Sequence, residues 1–124
     1  MDHALLLAGF LAILAAAPAP AGPSPIIIRD GALADPSGMT LYVFAKDEAD
    51  DGRSACNGPC ATLWPPLAAG VEDKPEGNLG LAVRDDGSRQ WTWRGKPLYR
   101  FAQDRAPGER KGDGFKQLWQ TANP

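Results

Sequence analysis

The stretch Gly38-Met39-Thr40-Leu41-Tyr42-Val43-Phe44-Ala45-Lys46-Asp47 has a second, partly identical copy in this chain. Fifty-seven positions later, Gly95-Lys96-Pro97-Leu98-Tyr99-Arg100-Phe101-Ala102-Gln103-Asp104 repeats it without a gap and matches it at six of the ten positions. Self-similarity at a fixed spacing indicates that one supersecondary unit has been used more than once. Because two copies are too few for a solenoid, the repeat predicts one small domain built from two related units.

Each copy alternates in the manner of a β-strand. A period of two places Tyr42 and Phe44 on one face of the strand, and aromatic and β-branched residues favour this conformation. On the opposite face, Val43 of the first copy is replaced by Arg100 in the second. Since a charge is costly to bury without a partner, we expect the aromatic face of both copies to be the buried one.

An aspartate ends each copy, at Asp47 and at Asp104. A carboxylate in this position can accept backbone N–H bonds and shape a turn, which is the simplest interpretation of both residues. A ligand-binding or catalytic role is the alternative. An acid hydrolase would need the two carboxyl groups within about 10 Å of each other across a groove.

Two cysteines, Cys56 and Cys60, flank Asn57-Gly58-Pro59. A tight turn is expected between them, and a cysteine pair at this spacing in an exported chain is typical of a disulfide. A redox-active pair is one alternative, and a soft-metal site, which would need two further ligands, is another. A short helical turn through residues 61–64 would be ended by Pro65-Pro66.

The first residues resemble a secretory signal peptide. An apolar run over residues 4–17 is followed by small residues at Ala19 and Ala21, although Met1-Asp2-His3 has no basic residue. The run is shorter than the roughly 20 residues of a membrane-spanning helix. We therefore predict a signal peptide over residues 1–21, with a buried N-terminal helix or an uncleaved anchor as the alternatives. The mature chain would be periplasmic or secreted and would have no membrane span.

His3 is the single histidine of the sequence and would be removed with the leader. Without histidine, the mature chain has no Ser-His-Asp or Cys-His nucleophile, no imidazole base and no histidine-containing metal site. The net charge of −2 argues against a nucleic-acid partner, which usually requires a basic excess. We expect no catalytic residue, no metal and no cofactor, and as partner an envelope protein or a small ligand.

The remaining segments extend the β pattern. Strands are predicted at residues 26–28 and 81–84, the second pairing with 89–94 across a turn, while residues 117–121 close the sheet. Trp91 and Trp93 share a strand face, and with Tyr99 and Phe101 they could form one aromatic face, which is more often core than ligand platform. The predicted fold is mainly β: a small antiparallel sheet or meander of two related strand units, about residues 31–94 and 95–124, with one short helical turn after the cysteines.

A tyrosine separated by four residues from an aspartate, with an aromatic residue two positions after the tyrosine, recurs in both copies as Tyr42, Phe44 and Asp47 and as Tyr99, Phe101 and Asp104. Together with the cysteine segment that runs to Trp64-Pro65-Pro66-Leu67, and with Trp91-Thr92-Trp93, this pattern resembles a family of secreted repeats or predicted lipoproteins of unknown function. The chain has no lipobox cysteine, so a lipid anchor is not implied. The resemblance implies export and a fold, and it implies no reaction.

The leading hypothesis is therefore a non-catalytic binding or interaction module. Its candidate binding residues are those of the repeated motif: Tyr42, Phe44, Asp47, Tyr99, Phe101 and Asp104. The alternative is a thiol-disulfide or electron-transfer accessory that uses Cys56 and Cys60.

Overall fold

The structure, a computed structural model, describes residues 23–124. The predicted signal peptide, residues 1–21, lies outside the described residues. Within 23–124, no helix combines the length and the apolar character needed to cross a membrane.

Short strands dominate the described chain, as predicted. In chain order the elements are β1 (Ile27–Arg29), β2 (Ala32–Ala34), β3 (Tyr42–Phe44), α1 (Pro59–Leu63), β4 (Ala68–Ala69), β5 (Leu79–Val83), β6 (Arg89–Trp93), β7 (Lys96–Pro97), a 3-10 turn (Phe115–Gln117) and β8 (Trp119–Thr121). All strand pairs are antiparallel: β1 with β2, β3 with β8, and β6 with each of β4, β5 and β7. The prediction of a mainly β fold with one helical turn near the cysteines is confirmed.

Each repeat begins with a hairpin, β1–β2 in the first and β5–β6 in the second. The turn of the first hairpin is Asp30-Gly31, whose φ angles of 48° and 80° lie in the left-handed region. Two-residue hairpins need this conformation because its twist matches that of the strands, and Asp-Gly supplies it at little cost. The sequence around these hairpins differs between the repeats, so the repeated stretch alone does not reveal that they correspond.

Equivalent backbone hydrogen bonds then join each hairpin to the rest of the molecule. Three backbone bonds form a closed set at the first hairpin. Leu33 N–H donates to the carbonyl of Ala122, Ala122 N–H to that of Leu41, and Leu41 N–H to that of Leu33, at 2.8–3.0 Å. The equivalent set at the second hairpin joins Trp91 N–H to the carbonyl of Leu67, Leu67 N–H to that of Leu98, and Leu98 N–H to that of Trp91, at 2.9–3.0 Å. The C-terminal segment of each repeat therefore completes the sheet of the other repeat.

The two copies of the repeated stretch cross at their tyrosines. Tyr42 N–H donates to Tyr99 O at 2.7 Å, and Tyr99 N–H donates to Tyr42 O at 3.0 Å. This exchange places the tyrosines on an approximate twofold axis between the repeats. The second copy is less regular than the first: β7 ends at Pro97, and Tyr99 then forms isolated bridges to Tyr42 and Pro66.

Two apolar clusters pack on opposite sides of these crossing segments. The aromatic cluster contains Tyr42, Phe44, Cys56, Trp64, Tyr99, Phe101 and Trp119. The leucine cluster contains Leu33, Leu41, Leu98 and Ala122, with Ile26, Val43, Leu67 and Trp93 packed against it. The prediction that the aromatic face of the repeated stretch is buried is confirmed, and the Leu41 and Leu98 side is buried as well.

The two tryptophans of β6 do not join the aromatic cluster. Trp93 packs with the leucine cluster, and Trp91 is buried outside both clusters. The expectation of one aromatic face formed by Trp91, Trp93, Tyr99 and Phe101 was wrong. Because Leu98 and Tyr99 point to opposite faces, a tryptophan that packs beside Leu98 cannot also lie beside Tyr99.

Candidate functional site

The polar groups of the repeated motif bond across the repeats. Tyr42 OH donates to Asp104 Oδ2 at 2.6 Å, and Tyr99 OH donates to Asp47 Oδ2 at 2.6 Å. Each tyrosine therefore meets the aspartate of the other copy and not the aspartate that follows it in sequence. We call these four residues the Tyr–Asp clasp.

The second oxygen of each carboxylate holds a loop. Asp47 Oδ1 accepts the N–H of Ala55 at 2.6 Å, and Asp104 Oδ1 accepts the N–H of Lys111 at 2.9 Å. Each aspartate also closes a turn with its own backbone N–H. Asp47 N–H donates to the carbonyl of Phe44, and Asp104 N–H donates to the carbonyl of Phe101. The turn-forming role predicted for both residues is thus present, together with a long-range bond that sequence reasoning did not include.

The clasp lies inside the protein. Both tyrosine side chains are 0 % exposed and both aspartates are buried. Burial, reinforced by the bond to an aspartate, raises the pKa of both phenols well above the ordinary value. The other two candidate binding residues, Phe44 and Phe101, are buried too, so all six are interior residues of the unbound protein.

Four aromatic rings form a continuous stack beside the clasp. Phe44 stacks on Trp119 at 4.2 Å between centroids, Trp119 on Trp64 at 3.8 Å, and Trp64 on Phe101 at 4.3 Å. Each clasp tyrosine meets one tryptophan edge-on, Tyr42 with Trp64 at 5.3 Å and Tyr99 with Trp119 at 5.0 Å. The stack has the same approximate symmetry as the clasp.

Sequence reasoning did not recognise Trp64 and Trp119 as equivalent residues. The signal was available, since the dipeptide Leu-Trp occurs at residues 63–64 and again at 118–119. The leucines are bonded equivalently: Ala45 N–H donates to Leu118 O at 2.7 Å, and Ala102 N–H donates to Leu63 O at 2.8 Å. The duplication therefore extends well beyond the ten-residue stretch.

A family model described as a secreted repeat of unknown function matches residues 26–68 and 80–123, which is more than half of the chain. The chain belongs to this secreted-repeat family. No curated protein and no solved structure shows significant similarity to it. The two matches each run from the opening hairpin through the Leu-Trp dipeptide, in agreement with the equivalent hydrogen bonds. The expected division between residues 94 and 95 falls inside the second match.

A buried arginine extends the clasp of this secreted repeat on one side. Arg84 Nη1 donates to Ser54 Oγ at 3.0 Å and to Gln90 Oε1 at 2.6 Å, while Nη2 donates to the carbonyl of Cys56 and to Asn57 Oδ1. All four acceptors are neutral. Ser54 Oγ lies 2.6 Å from the Tyr99 hydroxyl and, because Tyr99 donates to Asp47, Ser54 is the donor in that contact. A hydrogen-bonded chain thus links the Asp47 carboxylate to the Arg84 guanidinium.

Cys56 and Cys60 form the predicted disulfide. Cys56 is fully buried in the aromatic cluster, and its carbonyl is held by Arg84. Among residues 23–124, no group of three or more His, Cys, Asp or Glu side chains is arranged to hold a metal ion. The bridge ties the loop after Asp47 to the core.

A surface groove of about 490 Å³ lies beside β5. Glycines contribute much of its lining, which consists of Asp50, Gly52, Pro75, Gly77, Asn78, Leu79, Gly80, Leu81, Thr92, Arg94 and Gly95. Sequence reasoning did not identify this groove, because its walls come from three separate segments, residues 50–52, 75–81 and 92–95.

Proposed function

We propose that this secreted-repeat protein is a non-catalytic interaction module of the periplasm or cell envelope. In this proposal the repeated motif forms the internal frame, and the outer strand of each repeat pairs with an extended polypeptide. The proposal rests on one feature found in both repeats: the central residue of the outer strand, Ile28 in β1 and Leu81 in β5, has its backbone N–H and C=O directed away from its hairpin.

The direction of these groups follows from the bonds of their neighbours. Ile28 lies opposite Leu33, whose N–H and C=O are already used by Ala122 and Leu41. Leu81 lies opposite Trp91, whose N–H and C=O are used by Leu67 and Leu98. Because antiparallel pairs alternate between bonded and non-bonded, the backbone groups of Ile28 and Leu81 face outward. Neither residue has a backbone hydrogen-bond partner among residues 23–124.

On both sides of Leu81, the outer edge of β5 already bonds to other segments of the chain, which favours an extended peptide as the occupant of the groove. Val83 N–H donates to Gly52 O at 3.0 Å, and Leu79 and Glu76 exchange two bonds of 2.9 Å. These contacts resemble an adjacent strand that is interrupted beside Leu81. A short extended peptide would supply the missing donor and acceptor there, as in recognition by strand addition.

The burial of the six motif residues favours a frame over a contact surface. Each clasp carboxylate is buried and accepts a tyrosine hydroxyl and a backbone N–H from within the protein, as expected of a residue of the frame. The same burial supports the interpretation of the aromatic residues as core.

The test is a titration of the isotope-labelled protein with acetyl-Thr-Val-Thr-amide, followed by backbone amide NMR. The control peptide is acetyl-Thr-Pro-Thr-amide, whose central residue has no N–H to donate. We expect the first peptide to shift the Leu81 amide and its groove neighbours, the control to leave them unchanged, and mass spectrometry to recover the peptide intact. Equal shifts with both peptides, shifts confined to other surfaces, no shift, or cleavage of the peptide would each overturn the proposal.

A further inference from the structure

The β1 edge carries two adjacent exposed apolar side chains, whereas the exposed large apolar side chain of β5 is Val83, whose N–H is already bonded to Gly52. Ile28 is 63 % exposed and Ile27 is 41 % exposed, which is unusual for large apolar side chains on a strand. An exposed apolar strand edge with free backbone groups is a template for pairing with another chain. We propose that β1 pairs with β1 of a second copy of this protein. The inference rests on the proposed function, because it names the partner of one of the two free edges.

The sequence of the edge is self-complementary in one antiparallel register. When Ile27 lies opposite Ile27 of the second copy, Ile26 lies opposite Ile28 and Ile28 opposite Ile26. Ile26 and Ile28 both have outward backbone groups, so this register forms four hydrogen bonds about a twofold axis. β-branched side chains in directly opposite positions also pack favourably.

The flanking residues favour the same register. Arg29 would lie opposite Pro25, and Asp30 opposite Ser24, so no two charges are placed against each other. Pro25 alternates with Ile26 and is therefore one of the residues, with Ile27 and Arg29, whose backbone groups point toward β2. Its missing N–H is thus not needed at the outer edge. Ile26 N–H donates to Ser24 Oγ at 3.2 Å in the single chain, a local bond that a carbonyl of the second copy would replace.

The leucine cluster explains why the occupant is a second copy. Ile26 packs against this cluster, and Ile28 is on the same face of β1, opposite Leu33, yet remains exposed. In the paired register, Ile28 of each copy covers Ile26 of the other. The two leucine clusters would then form one continuous apolar core across the twofold axis. An unrelated polar peptide would leave both isoleucines in water.

The first test is sedimentation equilibrium of the purified protein over a range of concentrations. We expect a reversible dimer, and we expect Ile28→Lys to raise its dissociation constant about tenfold or more, because the burial of one isoleucine on each copy is lost. Val83→Lys is the matched control, since Val83 is a β-branched strand residue of similar exposure, 58 %, whose N–H is already bonded. It should leave the dimer unchanged.

The second test reads the register and does not require destabilising the edge. Residues in a non-hydrogen-bonded antiparallel pair have Cα atoms about 4.5 Å apart, close enough for a disulfide. The described chain has no free cysteine, so Ile27→Cys introduces a single reactive thiol. We expect mild oxidation to convert this variant into a covalent dimer much faster than Val83→Cys.

A monomer at every concentration, or equal cross-linking of the two cysteine variants, would overturn the β1 pairing. These results are separable from the peptide titration, which reports on Leu81 and not on β1. A dimer through β1 together with no peptide response at Leu81 would support the β1 pairing and contradict the proposed function. A monomer together with a peptide response at Leu81 would contradict the β1 pairing and support the proposed function.

Discussion

Trp64 and Trp119 lie face to face, with ring centroids 3.8 Å apart and planes within 2° of parallel. They come from equivalent positions of the two repeats, so the approximate twofold axis passes between their rings. Stacked aromatic rings bury large apolar areas and add a specific geometry to that burial. The contact makes each repeat part of the other repeat's core, and neither repeat can bury its aromatic residues alone.

The clasp predicts energetic coupling between repeats. Tyr42→Phe and Asp104→Ala each remove one partner of a buried hydrogen bond and should each lower the free energy of unfolding by about 1–3 kcal/mol or more. Because both variants break the same bond, the double variant should lose less than the sum, by at least about 0.5 kcal/mol. Chemical denaturation of the four proteins measures this coupling.

The matched control combines Tyr42→Phe with Asp47→Ala. These residues belong to one copy of the motif but do not share a hydrogen bond, so their effects should be closer to additive. Stronger coupling within one copy than between copies would contradict the crossed arrangement.

The raised pKa values predict how stability depends on alkaline pH. Tyr42 and Tyr99 are the two tyrosines of the sequence, so tyrosinate absorbance reports on the clasp alone. In the unfolded chain both phenols lose protons near the ordinary value of about 10, whereas the folded protein keeps them protonated to higher pH. The contribution of the two protonated phenols to the free energy of unfolding is therefore complete below about pH 10. As the pH rises above this value, the free energy of unfolding falls by up to about 2.7 kcal/mol per pH unit for the two tyrosines together.

A spectrophotometric titration followed in parallel by near-ultraviolet circular dichroism checks this expectation. Tyrosinate should develop together with unfolding in the native protein, and near the ordinary pKa in concentrated guanidinium chloride. Ionisation of either tyrosine near pH 10 with the dichroism unchanged would show that the phenol is accessible.

Gly112 is predicted to be intolerant of a side chain. A Cβ at this position would lie 2.6 Å from Trp64 Cη2 and 3.1 Å from Phe101 Cδ2, inside the aromatic stack. Gly112→Ala should therefore cost about 1–3 kcal/mol of unfolding free energy through overpacking. Gly70→Ala is the control, because its Cβ would meet Asp73 Oδ2 at an ordinary 3.5 Å, and it should change stability by no more than about 0.5 kcal/mol. Equal effects of the two substitutions would show that the stack can shift.

Arg84, which is buried, is predicted to contribute more to the free energy of unfolding than the half-exposed Arg100. Arg84→Met leaves buried acceptors on Gln90, Ser54 and Cys56 without their donor, and it should lower the free energy of unfolding by at least about 2 kcal/mol. Arg100→Met removes an ion pair of 3.7 Å between the half-exposed Arg100 side chain and Asp35, for which the expected loss is within about 1 kcal/mol. Thermal and denaturant unfolding of both variants compare the two. A small effect at Arg84 would mean that water replaces the guanidinium.

Much of the local structure could be predicted from the sequence because its causes are local. The alternation of Tyr42 and Phe44 with smaller residues predicted a strand with a buried aromatic face, and two close cysteines predicted a disulfide. The Asp-Asp-Gly-Ser segment at residues 85–88 predicted a hairpin turn through the backbone conformations that it allows. Each of these properties is contained within a few consecutive residues.

Contacts between distant segments could not be predicted in the same way. The duplication of a tyrosine and an aspartate, determined by the sequence, does not say which tyrosine meets which aspartate. Only the docking of the two repeats decided that Tyr42 pairs with Asp104 and Tyr99 with Asp47, since the partners are 62 and 52 positions apart. Within residues 23–124 the outward backbone groups of Ile28 in β1 and Leu81 in β5 are left without a partner, and the motif lies inside, because each repeat buries its aromatic face against the other.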